Sequence, residues 1–178
     1  MKITRLAEKS KGMIKYHYHN LNDLLRTYIS QKDYWPKLFE RFDLSYQPTE
    51  EEVRKLFIAL MQDNLRLFQS LPEMQKIILW QISETSPMLL SVSEERESAG
   101  AKVIALAKPY FTDSDINFNA ILSLILGGSY YLTLHADTNK SSVCGIDFNW
   151  DRHKDEVLKT IEQIITWAFE MAKKNRAS

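Results

Sequence analysis

The sequence predicts an all-α protein, and three features lead to that fold class. Apolar residues recur at the i, i+3, i+4, i+7, i+8 spacing of an amphipathic helix, as in the run Leu21, Leu24, Leu25, Tyr28 and Ile29. Proline and capping residues separate the periodic segments. No segment keeps the strict alternation of a half-buried strand. The chain has 178 residues, 44% of them hydrophobic, which is enough to bury a core.

Three short helices are expected within residues 1–33. The first lies in TRLAEKS. The second lies in SKGMIKYHYHN, where Ser10 can accept the N-terminal capping hydrogen bond. The third is the amphipathic segment that follows Asn20. Pro36 and the stretch FDLSYQP interrupt the helical pattern, so residues 34–48 are expected to link this module to a helical domain over residues 49–178.

The helical domain is predicted to begin with a capping box, in which Thr49 is the N-cap and Glu52 is the third helical residue. Pro72 suits the first turn of the next helix. A further helix is expected to open at Pro87 and to run to about Lys108, where Pro109 would stop it.

Two long helices complete the predicted domain. The segment Thr112–Asp115 is expected to cap an apolar helix over Asn117–Ala136, and a polar loop follows it. The last helix starts near Trp150. Its expected buried stripe consists of Val157, Ile161, Ile164, Ile165, Ala168 and Met171.

Charge is balanced overall but uneven along the chain. The formal net charge is zero, whereas the only acidic residue among the first twenty is Glu8. The basic residues of that stretch are Lys2, Arg5, Lys9, Lys11 and Lys15. A basic segment at one end of a neutral chain is an asymmetry that the function of that end has to account for.

Several functional classes find no support in the sequence. The single cysteine, Cys144, predicts a reducing cytoplasm. The longest apolar run, Ala120–Leu134, is too short and too polar to span a bilayer, so no membrane partner is expected. The common catalytic and phosphate-binding motifs are absent. His17 and His19 are two residues apart, which places them on different helix faces. We therefore expect no enzymatic activity, no cofactor and no metal site.

The second short helix combines lysine, tyrosine and histidine side chains. Three short helices with a basic, aromatic middle helix are typical of a helix-turn-helix, in which lysine and tyrosine contact phosphates. A solvated basic helix would have the same composition. The residue pattern alone leaves both interpretations open.

The segment LAEKSKGMIKYHYHNLNDLL resembles the DNA-binding signature of the tetracycline-repressor (TetR) family of bacterial regulators. Leu6-Ala7 match the family's second helix, and Ser10-Lys11-Gly12 match its turn into the recognition helix. Further matches are Ile14, Tyr16, His17, Tyr18, Asn20, Asp23, Leu24 and Leu25. The stretches IILWQISETSP, GGSYYLTLHA and VCGIDFN are similar to a Bacteroidetes-type branch of that family.

This resemblance implies a helix-turn-helix in residues 1–33 that binds double-stranded DNA. The DNA-binding residues that it implies are Ser10, Lys11, Gly12, Lys15, Tyr16 and His17. Lys11 and Lys15 would face phosphate, and Tyr16 would face the groove or a phosphate. Ile14, His17 and Tyr18 would hold the helix to its neighbours. The family has one more helix before Leu6 and about three more residues before Ser10, so we expect the native protein to contain segments that this chain lacks.

The resemblance also implies that residues 49–178 bind a small molecule and form a homodimer on a palindromic operator. An apolar or aromatic effector fits the lining that these residues offer, and the protein would be a ligand-responsive regulator, in this family usually a repressor. The candidate ligand-binding residues are Met61, Asn64, Trp80, Gln81, Tyr130, Tyr131 and His135. The alternative is a small-molecule-binding helical protein whose DNA-binding module is degenerate.

Overall fold

The computed structural model describes residues 5–8, 11–42 and 45–177, and over these ranges the fold is all-α, which confirms the predicted class. The helices are α1 Lys11–His17, α2 Leu21–Lys32, α3 Trp35–Phe39, α4 Glu50–Ser70, α5 Pro72–Ser83, α6 Pro87–Ile104, α7 Lys108–Phe111, α8 Phe118–Asn139 and α9 Asp151–Arg176. The β-type pairing found among the described residues is one isolated bridge between Val143 and Ile146, in the loop between α8 and α9.

The predicted capping box at the start of α4 is confirmed. The backbone N–H of Thr49 donates to Glu52 Oε2 at 2.8 Å, and the Glu52 N–H donates back to Thr49 Oγ1 at 3.4 Å. The hydrogen bonds from Thr49 hold the pKa of the Glu52 carboxyl below its usual range. Two donors that have no partner inside the helix are thereby satisfied, which fixes where α4 begins.

The boundaries of two predicted helices were wrong. Pro109 does not end the helical path, because it lies in the first turn of α7, where its missing N–H is not needed. A short 3-10 turn, Ala105–Ala107, joins α6 to α7. The N-cap of α8 is Asn117 itself, whose Oδ1 accepts from Ala120 N, rather than a residue of Thr112–Asp115.

The segment predicted to be a linker contributes to the core. It contains α3, and four of its large apolar side chains are buried: Tyr34, Trp35, Leu38 and Phe42. Helix α3 lies against α6, where the Cβ of any side chain at Gly100 would come within 3.3 Å of Phe39 Cζ. Glycine is therefore the residue that allows this close helix approach.

Helix α4 is central, because it packs against α5, α8 and α9. Aromatic side chains join these helices. The Phe118 ring lies 5.1 Å from that of Phe57 on α4 and 5.4 Å from that of Phe169 on α9, both edge-to-face. On α9 the predicted stripe is largely confirmed, but Met171 is 45% exposed, and Phe169 and Ala172 are buried instead.

Candidate functional site

The residues predicted to contact DNA lie on and beside α1. Gly12, Lys15, Tyr16 and His17 are exposed, and Tyr16 is 85% exposed. The Lys15 ammonium group forms no ion pair with the described residues. Ser10 and the Lys11 side chain lie outside the described part of the structure. The described side chains of α1 thus present the Lys15 cation and the Tyr16 and His17 rings to solvent.

Of the three residues expected to anchor α1, two have half-buried side chains. Ile14 and Tyr18 are half-buried, as predicted. His17 is exposed instead, and its ring packs edge-to-face on Tyr16 with centroids 4.8 Å apart. The prediction that His17 holds α1 to its neighbours was therefore wrong, because its side chain extends away from them into solvent.

A cavity of about 800 Å³ lies between α5, α6 and α8. Its floor is formed by apolar side chains of α3 and α4: Trp35, Phe39, Phe57, Leu60 and Met61. The exposed residues Ile82, Glu84, Leu90 and Glu97 lie at its rim. Size and lining are those of a small-molecule site, which is mostly apolar with a few polar groups.

Three of the seven predicted ligand-binding residues line this cavity, namely Met61, Gln81 and Tyr130. Asn64 is buried below it and donates to the Tyr34 hydroxyl at 2.9 Å. Tyr131 is 57% exposed, since it lies one residue past Tyr130 on α8 and so faces away from the cavity.

The remaining two predicted ligand-binding residues also lie outside the lining. The indole N–H of Trp80 donates to Glu84 Oε2 at 2.8 Å. The His135 ring hydrogen-bonds Ser141 Oγ at 2.9 Å and the Asn139 side chain at 3.0 Å, near the end of α8. His135 therefore organises the loop after α8.

A polar cluster at the cavity wall was not predicted. Arg96 of α6 donates to Asp33 Oδ2 from Nη2 at 2.7 Å and from Nε at 3.1 Å, and to Gln81 Oε1 from Nη1 at 3.3 Å. The Arg96 and Asp33 side chains are only 12% and 9% exposed. Neither residue belongs to a sequence motif. The general rule that buried charged side chains are paired is the one signal that could have suggested this ion pair.

Asp33 connects this cluster to two helices. Its backbone N–H donates to Ile29 O at 2.9 Å and closes α2, and its Oδ1 accepts from Trp35 N at 2.9 Å at the start of α3. A single residue thus ends one helix, begins the next and pairs with the cavity wall.

Hydroxyl groups link the cavity floor to the core. The Trp35 indole N–H donates to the Tyr130 hydroxyl at 3.2 Å. Burial is the main cause that raises the pKa of Tyr34 well above its usual range, and the neighbouring Tyr130 raises it further. Tyr34 therefore remains a neutral phenol. It keeps its O–H group as a hydrogen-bond donor at physiological pH.

Two further ion pairs join α2 to the helices around the cavity. Arg26 donates to Ser91 Oγ at 3.0 Å and pairs with Glu95, both on α6. Lys32 Nζ lies 3.4 Å from Glu73 Oε1 on α5. Helix α2 is thus attached to both helices that carry the cavity mouth.

No family model matches the chain, and no curated protein or solved structure matches it. Within the described ranges, no helix is long and apolar enough to cross a membrane. The same residues contain no group of three or more His, Cys, Asp or Glu side chains placed to hold a metal ion.

Replacing Arg96 by leucine is expected to lower the free energy of unfolding by about 3–5 kcal/mol, because Asp33 would remain buried without its counter-charge. Denaturant unfolding followed by circular dichroism measures this loss. The control is Lys32→Ala, which breaks the exposed ion pair between α2 and Glu73 of α5 and is expected to cost less than about 1 kcal/mol. Equal losses for both variants would contradict the assignment.

Proposed function

We propose that the protein is a ligand-responsive, cytoplasmic transcriptional regulator of the TetR type, a repressor that binds a palindromic operator as a homodimer. The observation that carries the proposal is that side chains of the cavity connect to the end of α2. The cavity floor includes Trp35 and Phe39, which follow α2 in the chain, and Arg96 in the cavity wall pairs with Asp33. A molecule in the cavity would therefore contact residues that position the N-terminal module.

The surface of α1 supports DNA as the partner of that module. Lys15 offers a cation that pairs with no carboxylate of the described residues, and Tyr16 offers a hydroxyl on an exposed ring. Lysine and tyrosine are both suited to phosphate oxygens. These groups lie beside α2, which the ion pairs of Arg26 and Lys32 attach to α6 and α5.

The ligand response requires the effector to bind one arrangement of the molecule better than another. Arg96 supplies a physical basis, because the same guanidinium contacts Gln81 in the cavity wall and Asp33 at the end of α2. A ligand that moves Arg96 or Trp35 would shift α2, and α1 would move with it.

Exposed apolar residues on the last two long helices support a homodimer. Leu124 of α8 is 77% exposed and Trp167 of α9 is 58% exposed. Gly127 and Gly128 leave open space beside α8, since no side chain or other helix comes within 4 Å of where their Cβ atoms would lie. Small residues beside large apolar ones allow the helices of a second copy to approach closely.

Replacing Lys15 by alanine is expected to weaken binding to duplex DNA of any sequence, because a phosphate contact is lost. The plot of log affinity against log salt concentration should flatten by about one unit per protomer. Fluorescence anisotropy with random-sequence and operator duplexes over a salt series, using the full-length product of the gene, measures both effects.

The charge-matched control is Lys159→Ala on α9, which should leave affinity and salt dependence unchanged. If the wild-type protein fails to bind duplex DNA at low salt while still binding small molecules in the cavity, the DNA-binding proposal is wrong and the degenerate-module alternative is favoured.

Replacing Leu124 by glutamate is expected to raise the dimer dissociation constant at least about tenfold, because the substitution would bury two carboxylates in a symmetric interface. Sedimentation equilibrium gives this constant. Leu79→Glu, at an exposed apolar position of α5, serves as the control and should leave the dimer intact. Unchanged dimerisation of the Leu124 variant would exclude this face as the interface.

A further inference from the structure

We propose that the cavity takes an uncharged, mainly apolar ligand with a hydrogen-bond acceptor such as a carbonyl oxygen, and that the Gln81 amide group donates to that acceptor. The inference rests on the proposed function in one respect, because it treats the cavity as the site that binds the effector. Binding itself is measured without DNA, so the two proposals can fail separately.

The shape and lining of the cavity account for the apolar part of the ligand. Its volume of about 800 Å³ lies within the range of small-molecule sites. Trp35 and Phe39 supply aromatic surface on the floor, and Leu122 and Leu126 supply aliphatic surface from α8. A molecule with one or two aromatic rings would remove this surface from water.

The polar part of the ligand follows from the hydrogen bonds that the wall already makes. Arginine has donors but no acceptor, so the bond from Arg96 Nη1 requires the Gln81 oxygen to face Arg96. The Gln81 Nε2 group is then left buried without a hydrogen-bond partner. A buried donor of this kind is destabilising until an acceptor reaches it.

The other polar groups of the wall do not provide that acceptor. The Tyr130 oxygen already accepts from the Trp35 indole, and both oxygens of Asp33 are occupied by Trp35 N and by Arg96. The acceptors of the Arg96 cluster are therefore in use, and Gln81 Nε2 is the donor left without one. A carbonyl oxygen on the ligand would complete the pairing, whereas a ligand with only donors would not.

The charges around the cavity argue for an uncharged ligand. The Arg96 guanidinium, the cation of the lining, is already neutralised by Asp33. The carboxylates of Glu84 and Glu97 lie at the rim. An anion would enter past two negative charges and meet no uncompensated positive charge, so its loss of hydration would not be offset.

The same hydrogen bond would connect binding to regulation. Gln81 and Asp33 are both partners of Arg96, so an acceptor that reorients the Gln81 amide changes the contacts of Arg96. Asp33 closes α2, and α2 would therefore respond to the acceptor group and not only to the filled volume.

The test uses two uncharged probes of almost the same shape, benzophenone and diphenylmethane, which differ in the carbonyl group. Their affinities for the wild type and for Gln81→Met are measured by isothermal titration calorimetry. The benzophenone preference of the wild type is expected to fall about fivefold in Gln81→Met, as the loss of one hydrogen bond implies. The ratio of benzophenone affinity to diphenylmethane affinity is compared between the wild type and the variant. This comparison removes the difference in hydration between the probes, because it is the same for both proteins.

Gln69→Met is the matched control, because Gln69 Nε2 is also buried without a partner but lies outside the cavity lining. This variant should keep the wild-type preference. The role of Gln81 is overturned if Gln81→Met keeps the wild-type preference for benzophenone. It is also overturned if that preference falls equally in Gln81→Met and Gln69→Met. Failure of both probes to bind, or tighter binding of the anion diphenylacetate than of benzophenone, overturns the proposed ligand class.

Discussion

The arrangement of the N-terminal helices depends on the ion pair between Asp33 and Arg96. The Asp33 carboxylate is almost completely removed from water, so it needs a counter-charge and hydrogen bonds to remain buried. Arg96 supplies the charge, and the Trp35 N–H supplies a further bond. Because Asp33 also closes α2, the direction in which α2 leaves the bundle is set at the wall of the cavity.

Helix packing makes this junction possible. Gly100 allows α6 to approach Phe39 of α3, and that approach brings Arg96, one turn earlier on α6, to the end of α2. Part of the cavity floor, Trp35 and Phe39, consequently comes from the connection between the N-terminal module and the bundle. The cavity lining and the end of α2 therefore share contacts with Trp35 and Arg96.

Local signals in the sequence predicted the helices well, whereas contacts between distant residues were missed. The capping box at Thr49 and the proline at the start of α5 were correct because they depend on neighbours in the chain. Residues 34–48 were interpreted as a linker because Pro36 interrupts the pattern, yet Trp35 lies in the core. Asp33 and Arg96 are 63 positions apart, and no periodicity indicates that they meet. Tyr130 and Tyr131 could not be distinguished until the orientation of α8 was known.

The proposed coupling between the cavity and the N-terminal module is tested most directly by amide hydrogen exchange along α2. Exchange is measured for the ligand-free protein and for protein saturated with benzophenone, in the wild type and in Arg96→Leu. The wild type is expected to change its exchange in α2 as well as in α5 and α6, and the variant is expected to lose the α2 response. A wild-type response confined to α5 and α6, or an α2 response that persists without Arg96, would contradict the account.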